Sequence, residues 1–393
     1  MSPTSRQPER RSHWPVLRLT RPGWVFLLLA MLVGTAAGKS EVALVFVMFG
    51  MMLGTLAVSV LLSWRMVAGV RLRRDCPERA WQHRPVHLGY YLRSIRAHTS
   101  CLGLSVEEIA PPHAPAAGGF CLHLSPRAVF RAAGRFVPRH RGRLRLTASR
   151  VSTIFPFGLV RATRTFDAPA ELLVWPARGA LKRKLLSHGA VETSTAAPSR
   201  ASGGQDEFFG LREYRSGDNP RWIHWRRSAA TRTPVVREMA RPLPDVLWVI
   251  VDTQTTPGAM GRADRERLLR FAATLIDYAL ARGYRVGLAL ADDAGPRILR
   301  PAEGRRQRSD LLDALAAADE NLRTPLGDTL RRLPRGWLAK SELIVCGKGR
   351  HLAAAPLGAL RGVARNIQLI TQEDLPRVFK DDPLAALEGE DAP

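Results

Sequence analysis

Residues 42–64 read VALVFVMFGMMLGTLAVSVLLSW, and no side chain in this stretch carries a charge. A helix needs about 20 residues to cross the hydrocarbon core of a bilayer. This stretch meets that length without help from its neighbours. It therefore predicts a transmembrane helix, around which the rest of the 393-residue chain is organised.

A second apolar stretch, Trp24–Gly38, precedes the first one. It reaches spanning length only if Leu19–Gly23 extends the helix, with Arg21 reaching back to the headgroups. The turn Lys39–Glu41 is so short that the two helices must run antiparallel. Thr35–Gly38 loosely resembles a signal-peptide cleavage site, but the second span follows at once, so we favour an uncleaved hairpin.

Arginines flank both apolar stretches, whereas the turn between them carries one Lys and one Glu. The flanking arginines are Arg6, Arg10, Arg11, Arg18, Arg21, Arg65, Arg71, Arg73 and Arg74. Because positive flanks stay on the cytoplasmic side, residues 1–70 are predicted to form a tail and a multi-pass hairpin in the inner membrane, with the soluble parts in the cytoplasm. Small residues would allow close helix packing, or they reflect the ordinary composition of membrane helices; they are Gly34, Ala37, Gly50 and Gly54.

The formal net charge of the chain is +24, and most of the excess is arginine. Such a surface suits anionic partners, whether lipid headgroups, nucleic acid or an acidic protein face. The four cysteines are Cys76, Cys101, Cys121 and Cys346. Their spacing matches no zinc site, so we expect reduced thiols in a reducing compartment.

Residues 71–188 show alternating polar and apolar side chains, a pattern typical of half-buried strands. Arg143–Thr147 and Cys121–Leu124 show it most clearly, and Gly and Pro clusters separate the strands. The pattern predicts a small antiparallel sandwich or barrel with a structural role. Residues 189–210, rich in small and polar side chains, indicate a linker.

Residues 211–393 carry an α/β pattern. Val246–Val251 is a continuous apolar run that ends at Asp252, as in a parallel strand buried on both faces. The predicted elements that follow are a helix over 262–282 with Gly283 as its C-cap, a strand over 285–290, a helix over 309–318, a strand over 342–346, a helix over 357–364 and a strand over 367–370. This order predicts a doubly wound parallel sheet, whose ligands bind at the carboxyl ends of the strands, near Asp252.

An Arg-rich segment lies between the linker and this sheet. Asn219 and Pro220 suit the N-cap and first position of a helix that would run to about Ala230, and a strand follows over 235–239. Arginine forks suit carboxylate and phosphate, so the segment is a candidate surface for an anion or an acidic partner. The alternative is a set of internal ion pairs, because each acidic residue has an arginine within three positions.

Short motifs in this segment resemble the "domain of unknown function 58" family, which comprises bacterial membrane proteins with a von Willebrand factor A-like domain. They are Phe209–Tyr214, Gly217–Asp218, Pro220–Arg221, Ile223, Trp225 and Arg237–Glu238. Pro156–Leu159 and Leu173–Pro176 match the upstream pattern of the family, and the two N-terminal spans fit as well. The resemblance covers most of the chain and implies a von Willebrand factor A-like fold for its C-terminal part.

The resemblance implies a partner more than a reaction. Members of the family are commonly encoded beside a MoxR-type AAA+ ATPase and are thought to work with it in maturing or assembling other proteins, often at the envelope. No catalytic residues carry over. The candidate partner-binding residues are Arg212, Glu213, Tyr214, Gly217, Asp218, Arg221, His224, Trp225, Arg237 and Glu238.

Two positions depart from the family pattern. His224 stands where the family usually has Asp, and Ser216 stands where it usually has Pro. If that Asp pairs with an arginine in the family, His224 loses the pair and could add pH sensitivity.

The resemblance also implies a metal site that this chain carries in degenerate form. The family's fold holds Mg²⁺ with an Asp-x-Ser-x-Ser loop, whereas here Gln254 replaces the first Ser and Thr256 the second. Only Asp252 is a firm carboxylate, and Lys348 follows the later strand. We expect no cofactor, with weak Mg²⁺ binding or a capping role for Asp252 as the alternatives.

Three classes of function remain in view. The leading hypothesis is a non-enzymatic, membrane-anchored scaffold or adaptor for a MoxR-type AAA+ ATPase. An enzyme is less favoured, because the sequence shows no P-loop, no HExxH and no Ser/His/Asp pattern. Nucleic-acid binding fits the charge and the tryptophans among the arginines, but many of those arginines flank the membrane segment, so we do not favour it.

Overall fold

The structure is a computed structural model of the whole chain. It describes residues 14–39, 42–109, 118–182, 185–186, 208–214, 223–239, 246–252, 261–292, 295–318, 325–339, 341–349, 352, 355, 357–360 and 363–381.

Two apolar helices follow a short strand at the N-terminal side. The strand is β1 (Val16–Leu19), and the helices are α1 (Arg21–Ala37) and α2 (Ala43–Ala68). Within the described residues, α2 is the one helix that is long and apolar enough to cross a membrane. Its 26 residues span about 39 Å at 1.5 Å per residue, whereas the 17 residues of α1 span about 26 Å.

The predicted extension of the first span through Leu19 is wrong, because Leu19 lies in β1 and the helix begins at Arg21. β1 pairs antiparallel with strand β9 (Val160–Trp175). The hydroxyl of Thr20 accepts a hydrogen bond from the N–H of Gly23 at 3.1 Å and donates to the carbonyl of Gly158 at 2.6 Å. A side-chain cap followed by Pro22 starts a helix efficiently, so the helix cannot extend backwards.

Helix packing follows the small-residue prediction only in α1. A Cβ on Gly34 would lie 2.7 Å from the Phe49 ring of α2, so a larger residue would force the helices apart, and Ala37 is buried. Gly50 and Gly54 have no neighbour within 4 Å of a Cβ position, so the prediction of close packing is wrong for them.

The middle of the chain forms two sheets that share one hydrophobic core; we call β1 and residues 70–175 the two-sheet region. Its strands are β1, β2 (Val70–Asp75), β3 (Arg79–Trp81), β4 (Val86–Ser94), β5 (Cys101–Ile109), β6 (Gly118–Leu124), β7 (Val129–Phe136), β8 (Gly142–Thr153) and β9. One sheet has the order β1-β9-β8-β5-β6 with β3 on β9, and the other has the order β2-β4-β7. The alternating burial predicted for Arg143–Thr147 is confirmed.

A buried ionic cluster joins the two sheets. The Arg74 guanidinium of one sheet contacts the Glu108 carboxylate of the other, and both side chains are buried. The hydroxyls of Ser149 and Tyr90 lie 2.9 and 3.2 Å from the same carboxylate oxygen. Burial raises the pKa of Glu108, while Arg74 and the two hydroxyls oppose that shift. Breaking such a pair would leave an uncompensated buried charge, so the cluster fixes how the sheets face each other.

The chain also forms two small ladders, each a separate two-stranded sheet. They are formed by β10 (Ala180–Leu181) with β18 (Phe379–Lys380), and by β11 (Phe208–Glu213) with β12 (Val235–Met239). The short helix α3 (Trp225–Thr231) lies between β11 and β12 in the chain. β11 begins inside the predicted linker over 189–210, of which residues 189–207 lie outside the described part.

The C-terminal part, residues 246–381, is the α/β region. Its elements are β13 (Val246–Val251), α4 (Arg262–Ala281), β14 (Arg285–Asp292), β15 (Gly295–Ala302), α5 (Gly304–Ala317), α6 (Leu326–Arg332), α7 (Arg335–Leu338), β16 (Glu342–Gly347), a 3₁₀ turn (Leu357–Ala359), β17 (Asn366–Thr371), α8 (Leu375–Val378) and β18. The sheet order is β15-β14-β13-β16-β17, parallel except for β15. Separate cores with helical residues cover its two faces.

Most of the predicted α/β elements are confirmed, and three are not. The sheet is mixed rather than wholly parallel, because β15 pairs antiparallel at the edge. The helix predicted over 309–318 begins earlier, at Gly304. The helix predicted over 357–364 is only a 3₁₀ turn in its described part.

Ionic and aromatic contacts fasten the two-sheet region to the α/β region. Asp313 of α5 accepts hydrogen bonds from the Trp175 indole at 2.7 Å and from Arg79 at 2.9 Å. Arg141 pairs with Glu266 of α4 at 3.0 Å and donates to the Ala318 carbonyl at 2.8 Å, beyond the end of α5. The two apolar helices, the two-sheet region and the α/β region are therefore joined in series.

Candidate functional site

The β11–β12 ladder brings together both ends of the Arg-rich segment. Arg212 lies opposite Val236, and Glu213 lies opposite Val235. On the other strand, Arg237 lies opposite Leu211 and Glu238 lies opposite Gly210. The backbone N–H of Tyr214 extends the ladder by donating to the Pro234 carbonyl at 2.8 Å. Five of the predicted residues, Arg212, Glu213, Tyr214, Arg237 and Glu238, thus lie on one two-stranded ribbon.

His224 caps the helix that lies next to this ribbon. Its Nδ1 accepts a hydrogen bond from the N–H of Arg227 at 3.2 Å, and its own N–H donates to the Val235 carbonyl at 2.8 Å. The Ser228 hydroxyl accepts from the N–H of Val235 at 2.8 Å. The helix predicted to start at Pro220 is wrong at Ile223 and His224, which are not helical. His224 therefore positions α3 on β12, which is a role that Asp performs at many helix starts.

Trp225, the first residue of α3, is exposed. Its side chain is 70% accessible, and Arg226 and Arg227 beside it are exposed too. No residue of α3 is buried. Trp225 and Ala229 are one helical turn apart and both are exposed, because α3 touches the ribbon through its capping bonds rather than through an apolar face. Exposed Trp and Arg are the residue types that most often dominate binding energy at protein interfaces.

Four predicted residues cannot be placed in the site. Gly217, Asp218, Arg221 and Ser216 lie outside the described residues, as does Trp222. Whether Asp218 and Arg221 form internal ion pairs or face a partner stays a prediction.

A second candidate site is the carboxyl edge of the α/β sheet. Asp252 follows β13 and is only 3% exposed, and its N–H donates to the Cys346 carbonyl at 2.8 Å. A Cβ on Gly347 would lie 2.7 Å from the Asp252 Cβ, so only glycine fits beside it. The chain order of the sheet reverses between β14 and β16, on the two sides of β13. Asp252 therefore lies where ligands of open α/β sheets commonly bind.

The residues described at this edge do not fit a hard divalent cation. Asp252 follows β13 and Lys348 follows β16, while Glu373 and Asp374 follow β17. The Asp374 carboxylate accepts a hydrogen bond from the Thr371 hydroxyl at 2.7 Å. No group of three or more His, Cys, Asp and Glu that could hold a metal occurs in the described part of the chain. Thr256, the other predicted ligand, lies outside it. Mg²⁺ prefers several oxygen ligands in octahedral geometry, which the described carboxylates do not provide as a cluster.

Comparison with known proteins assigns the ribbon, α3 and the first strands of the sheet to one family. Residues 210–340 match the family described as "Protein of unknown function DUF58". This part of the chain belongs to that family. The DUF58 region thus extends from β11 to just beyond α7, and it includes the exposed Trp225 and the edge residue Asp252.

Two further comparisons add little to the DUF58 assignment. No curated protein matches the chain significantly. A solved structure of the CARDB domain of a Pyrococcus furiosus protein, in complex with di-metal ions, is similar to 27% of this chain and 91% of its own, at 8% identity. The TM-score is 0.18, so this likeness carries no argument.

Sequence reasoning missed two residues that shape these sites. Ser228 ties α3 to β12, and Gly347 admits Asp252 against β16. A hydroxyl inside a short polar helix gives no signal by itself, because its partner lies on another element. Gly347 ends the apolar run of β16, and a glycine at such a position indicates the close approach of another segment.

Proposed function

We propose that this chain is a non-enzymatic, membrane-anchored adaptor whose DUF58 region binds a MoxR-type AAA+ ATPase at the cytoplasmic face of a bacterial inner membrane. In this proposal, the adaptor and the ATPase together serve the maturation or assembly of other proteins at the envelope. α2 crosses the bilayer, and the shorter α1 returns beside it where the bilayer thins locally. Arginines on both flanks of the hairpin support the cytoplasmic orientation.

We also propose that the α/β region is a von Willebrand factor A-like domain. Its five-stranded order, with a single antiparallel strand beside β14 and helices on both faces, supports that assignment. The domain acts by presenting a surface rather than by chemistry. No metal-dependent step belongs to the proposal, since the described residues contain no group of three or more His, Cys, Asp and Glu that could hold a metal ion.

One observation carries the adaptor proposal, namely the exposed Trp225, which is followed by the exposed Arg226 and Arg227 inside the matched family region. A buried tryptophan stabilises the folded state because its apolar surface is removed from water. An exposed tryptophan on a short helix therefore contributes little to the stability of the fold. Buried against a partner, it becomes the type of residue that dominates an interface. The ribbon and the His224 cap hold this surface in a defined position.

The test is co-purification of a MoxR-type ATPase with the full chain from detergent-solubilised membranes, with and without ATP. We expect the ATPase to be recovered with the unchanged protein. In Trp225→Ala, recovery should fall at least tenfold, as expected for a central interface tryptophan. Leu369→Ala is the matched control, because Leu369 is also an exposed apolar residue but lies outside the DUF58 region.

Two outcomes would overturn the proposal. Recovery that is equal in Trp225→Ala and in the unchanged protein would show that the motif does not hold the partner. Absence of any AAA+ ATPase under both nucleotide conditions would remove the adaptor role. If the chain instead bound DNA with an affinity that falls steeply with salt, nucleic-acid binding would replace it.

A further inference from the structure

Large exposed apolar side chains of the two-sheet region are concentrated at one end. Apart from those of β1, there are seven in its described part: Ile95, Phe120, Leu122, Val129, Phe130, Ile154 and Phe157. Single exposed apolar residues are ordinary on a soluble protein, but a cluster at one end marks an interaction surface.

Strand pairing shows which end this is. Val129 lies opposite Arg93, which lies opposite Arg71. Arg71 is the second residue of β2, and only Gly69 separates β2 from α2. At about 3.3 Å per residue, Val129 and Phe130 therefore lie within about 7 Å of the strand ends next to α2. Leu122 lies about 7 Å, and Phe120 about 13 Å, from the end of β6 at Leu124. Phe120 lies opposite Ser105, which lies opposite Ser152, one residue before β8 ends.

The loop after β8 contacts the apolar helices directly. The hydroxyl of Ser63 in α2 donates to the Phe155 carbonyl at 2.6 Å. A Cβ on Gly23 in α1 would lie 2.0 Å from the Leu159 carbonyl oxygen, so the loop lies against the helix backbone there. Ser63 belongs to the uncharged run and precedes Arg65, the first charge after it. The loop that carries Ile154 and the 55%-exposed Phe157 is therefore at the level where the apolar segment ends.

Acidic residues are absent from the described part of this end, whereas exposed arginines occur both here and further along the strands. The exposed arginines next to the apolar cluster are Arg65, Arg71, Arg93, Arg127 and Arg161. Arg71 and Arg93 lie directly opposite each other on neighbouring strands. The described acidic residues of the region lie further along the strands or at their far ends, and they are Asp75, Glu78, Glu107, Glu108, Asp167 and Glu171.

We propose that this end of the two-sheet region is a lipid-docking surface, inserted into the headgroup and acyl boundary of an anionic bilayer. The inference rests on the proposed function in one respect, which is that α2 crosses the membrane. Interfacial protein surfaces bury apolar groups about 5–10 Å deep, which matches the depth of this cluster, and arginine binds lipid phosphate. In this proposal, the two-sheet region contacts the bilayer directly and is not linked to it through α2 alone.

The test uses the full chain in lipid nanodiscs, with spin labels on single introduced cysteines. Cys76→Ser removes the one native cysteine that is not buried. Labels are placed by Phe157→Cys in the loop, by Leu53→Cys in the exposed surface of α2, and by Leu369→Cys in the α/β region as the matched exposed control. Collision rates with oxygen, which concentrates in lipid, and with a water-soluble nickel chelate report the depth of each label.

We expect the labels at 53 and 157 to favour oxygen and the label at 369 to favour the nickel chelate. A lipid-like label at 53 with a water-like label at 157 would overturn the docking surface and leave the membrane span intact. A water-like label at 53 would instead overturn the span, and the proposed function with it. A label at 157 shielded from both reagents would indicate a protein neighbour and overturn the lipid assignment.

A second comparison tests the arginines. We expect the label at 157 to move deeper when about a third of the lipid is anionic phosphatidylglycerol than when all of it is phosphatidylcholine. The double variant R71Q/R93Q should lose that difference. An equal depth in both lipids for the unchanged arginines would overturn the preference for an anionic surface.

Discussion

At the end next to α2, the two-sheet region exposes large apolar side chains, whereas at the end next to the α/β region it makes ionic and aromatic contacts. At the second end, the Arg178 guanidinium lies 3.8 Å from the centre of the Trp81 ring, and Arg141 and Asp313 form charged hydrogen bonds. One small domain therefore uses two kinds of surface. The comparison indicates that the polar end is an internal joint between protein parts, and that the apolar end has a partner outside the chain.

The largest effect should come from breaking the polar end at Arg141. Its side chain is 5% exposed and pairs with Glu266, which is 16% exposed. In Arg141→Ala, the Glu266 carboxylate and the carbonyls after α5 lose their donor, so unfolding free energy should fall by about 3–5 kcal/mol. Denaturant titration in detergent micelles, followed by tryptophan fluorescence, measures it. Arg145→Ala is the control, because the Arg145–Glu171 pair is exposed and worth less than about 1 kcal/mol. Equal losses would contradict the distinction.

The thiol of Cys76 tests how far this end excludes water. Cys76 directly follows β2, and burial raises the pKa of its thiol from about 9.0 to about 11, with Arg74 opposing the shift. A raised pKa means less thiolate at a given pH, so alkylation by iodoacetamide at pH 8 should be roughly 100-fold slower than in the unfolded chain. The rate should rise about tenfold per pH unit up to pH 10. The rate is measured by peptide mass spectrometry. A plateau near pH 9 would show that water reaches the Cys76 thiol in the folded protein.

A smaller effect is expected at Asp313. Asp313→Asn keeps an acceptor for the Trp175 indole but removes the charge that faces Arg79, whose side chain is partly exposed. Unfolding free energy should fall by about 1 kcal/mol in the same titration. Asp328→Asn, which alters an exposed pair with Arg331, should change it by less than about 0.5 kcal/mol. A loss above about 3 kcal/mol at Asp313 would mean that this contact, and not Arg141, dominates the joint.

The smallest effect should come from the apolar end. Phe157→Ala in micelles should change unfolding free energy by less than about 0.5 kcal/mol, because Phe157 is mostly exposed and contributes little to the protein core. Phe166→Ala is the matched control, since Phe166 belongs to the buried core and its loss should cost about 3–5 kcal/mol. A comparable loss at both positions would show that Phe157 is a core residue and would end the contrast between the two ends.

Prediction from sequence succeeded where local pattern and tertiary burial agree. The buried strands β13 and β16 are rich in apolar residues, and α4 ends at Ala281, two residues before Gly283, whose φ of +82° favours glycine. β15 was missed because Gly295–Ala302 contains two prolines and two arginines and looks like a loop. It is a strand only because β14 offers it an edge, where proline is tolerated.

The candidate site was less predictable than the fold. Asn219 and Pro220 are locally better helix starters than His224, yet α3 begins after His224. The bonds of His224 and Ser228 to Val235, which no local pattern encodes, decide the start. Trp225, the first residue of this helix, is exposed, and helical periodicity alone gives no sign of that.

Only Gly69 separates the last residue of α2 from the first residue of β2, and the Arg96 side chain lies where its Cβ would be. One residue added to α2 would lengthen it by about 1.5 Å but would turn everything beyond it by about 100° around the helix axis. The Thr20 hydroxyl before α1 contacts the carbonyls of Gly158 and Leu159. Such a rotation would break these hydrogen bonds between the start of α1 and the two-sheet region. The residue count of α2 thus fixes how the two-sheet region is rotated about the axis of this helix.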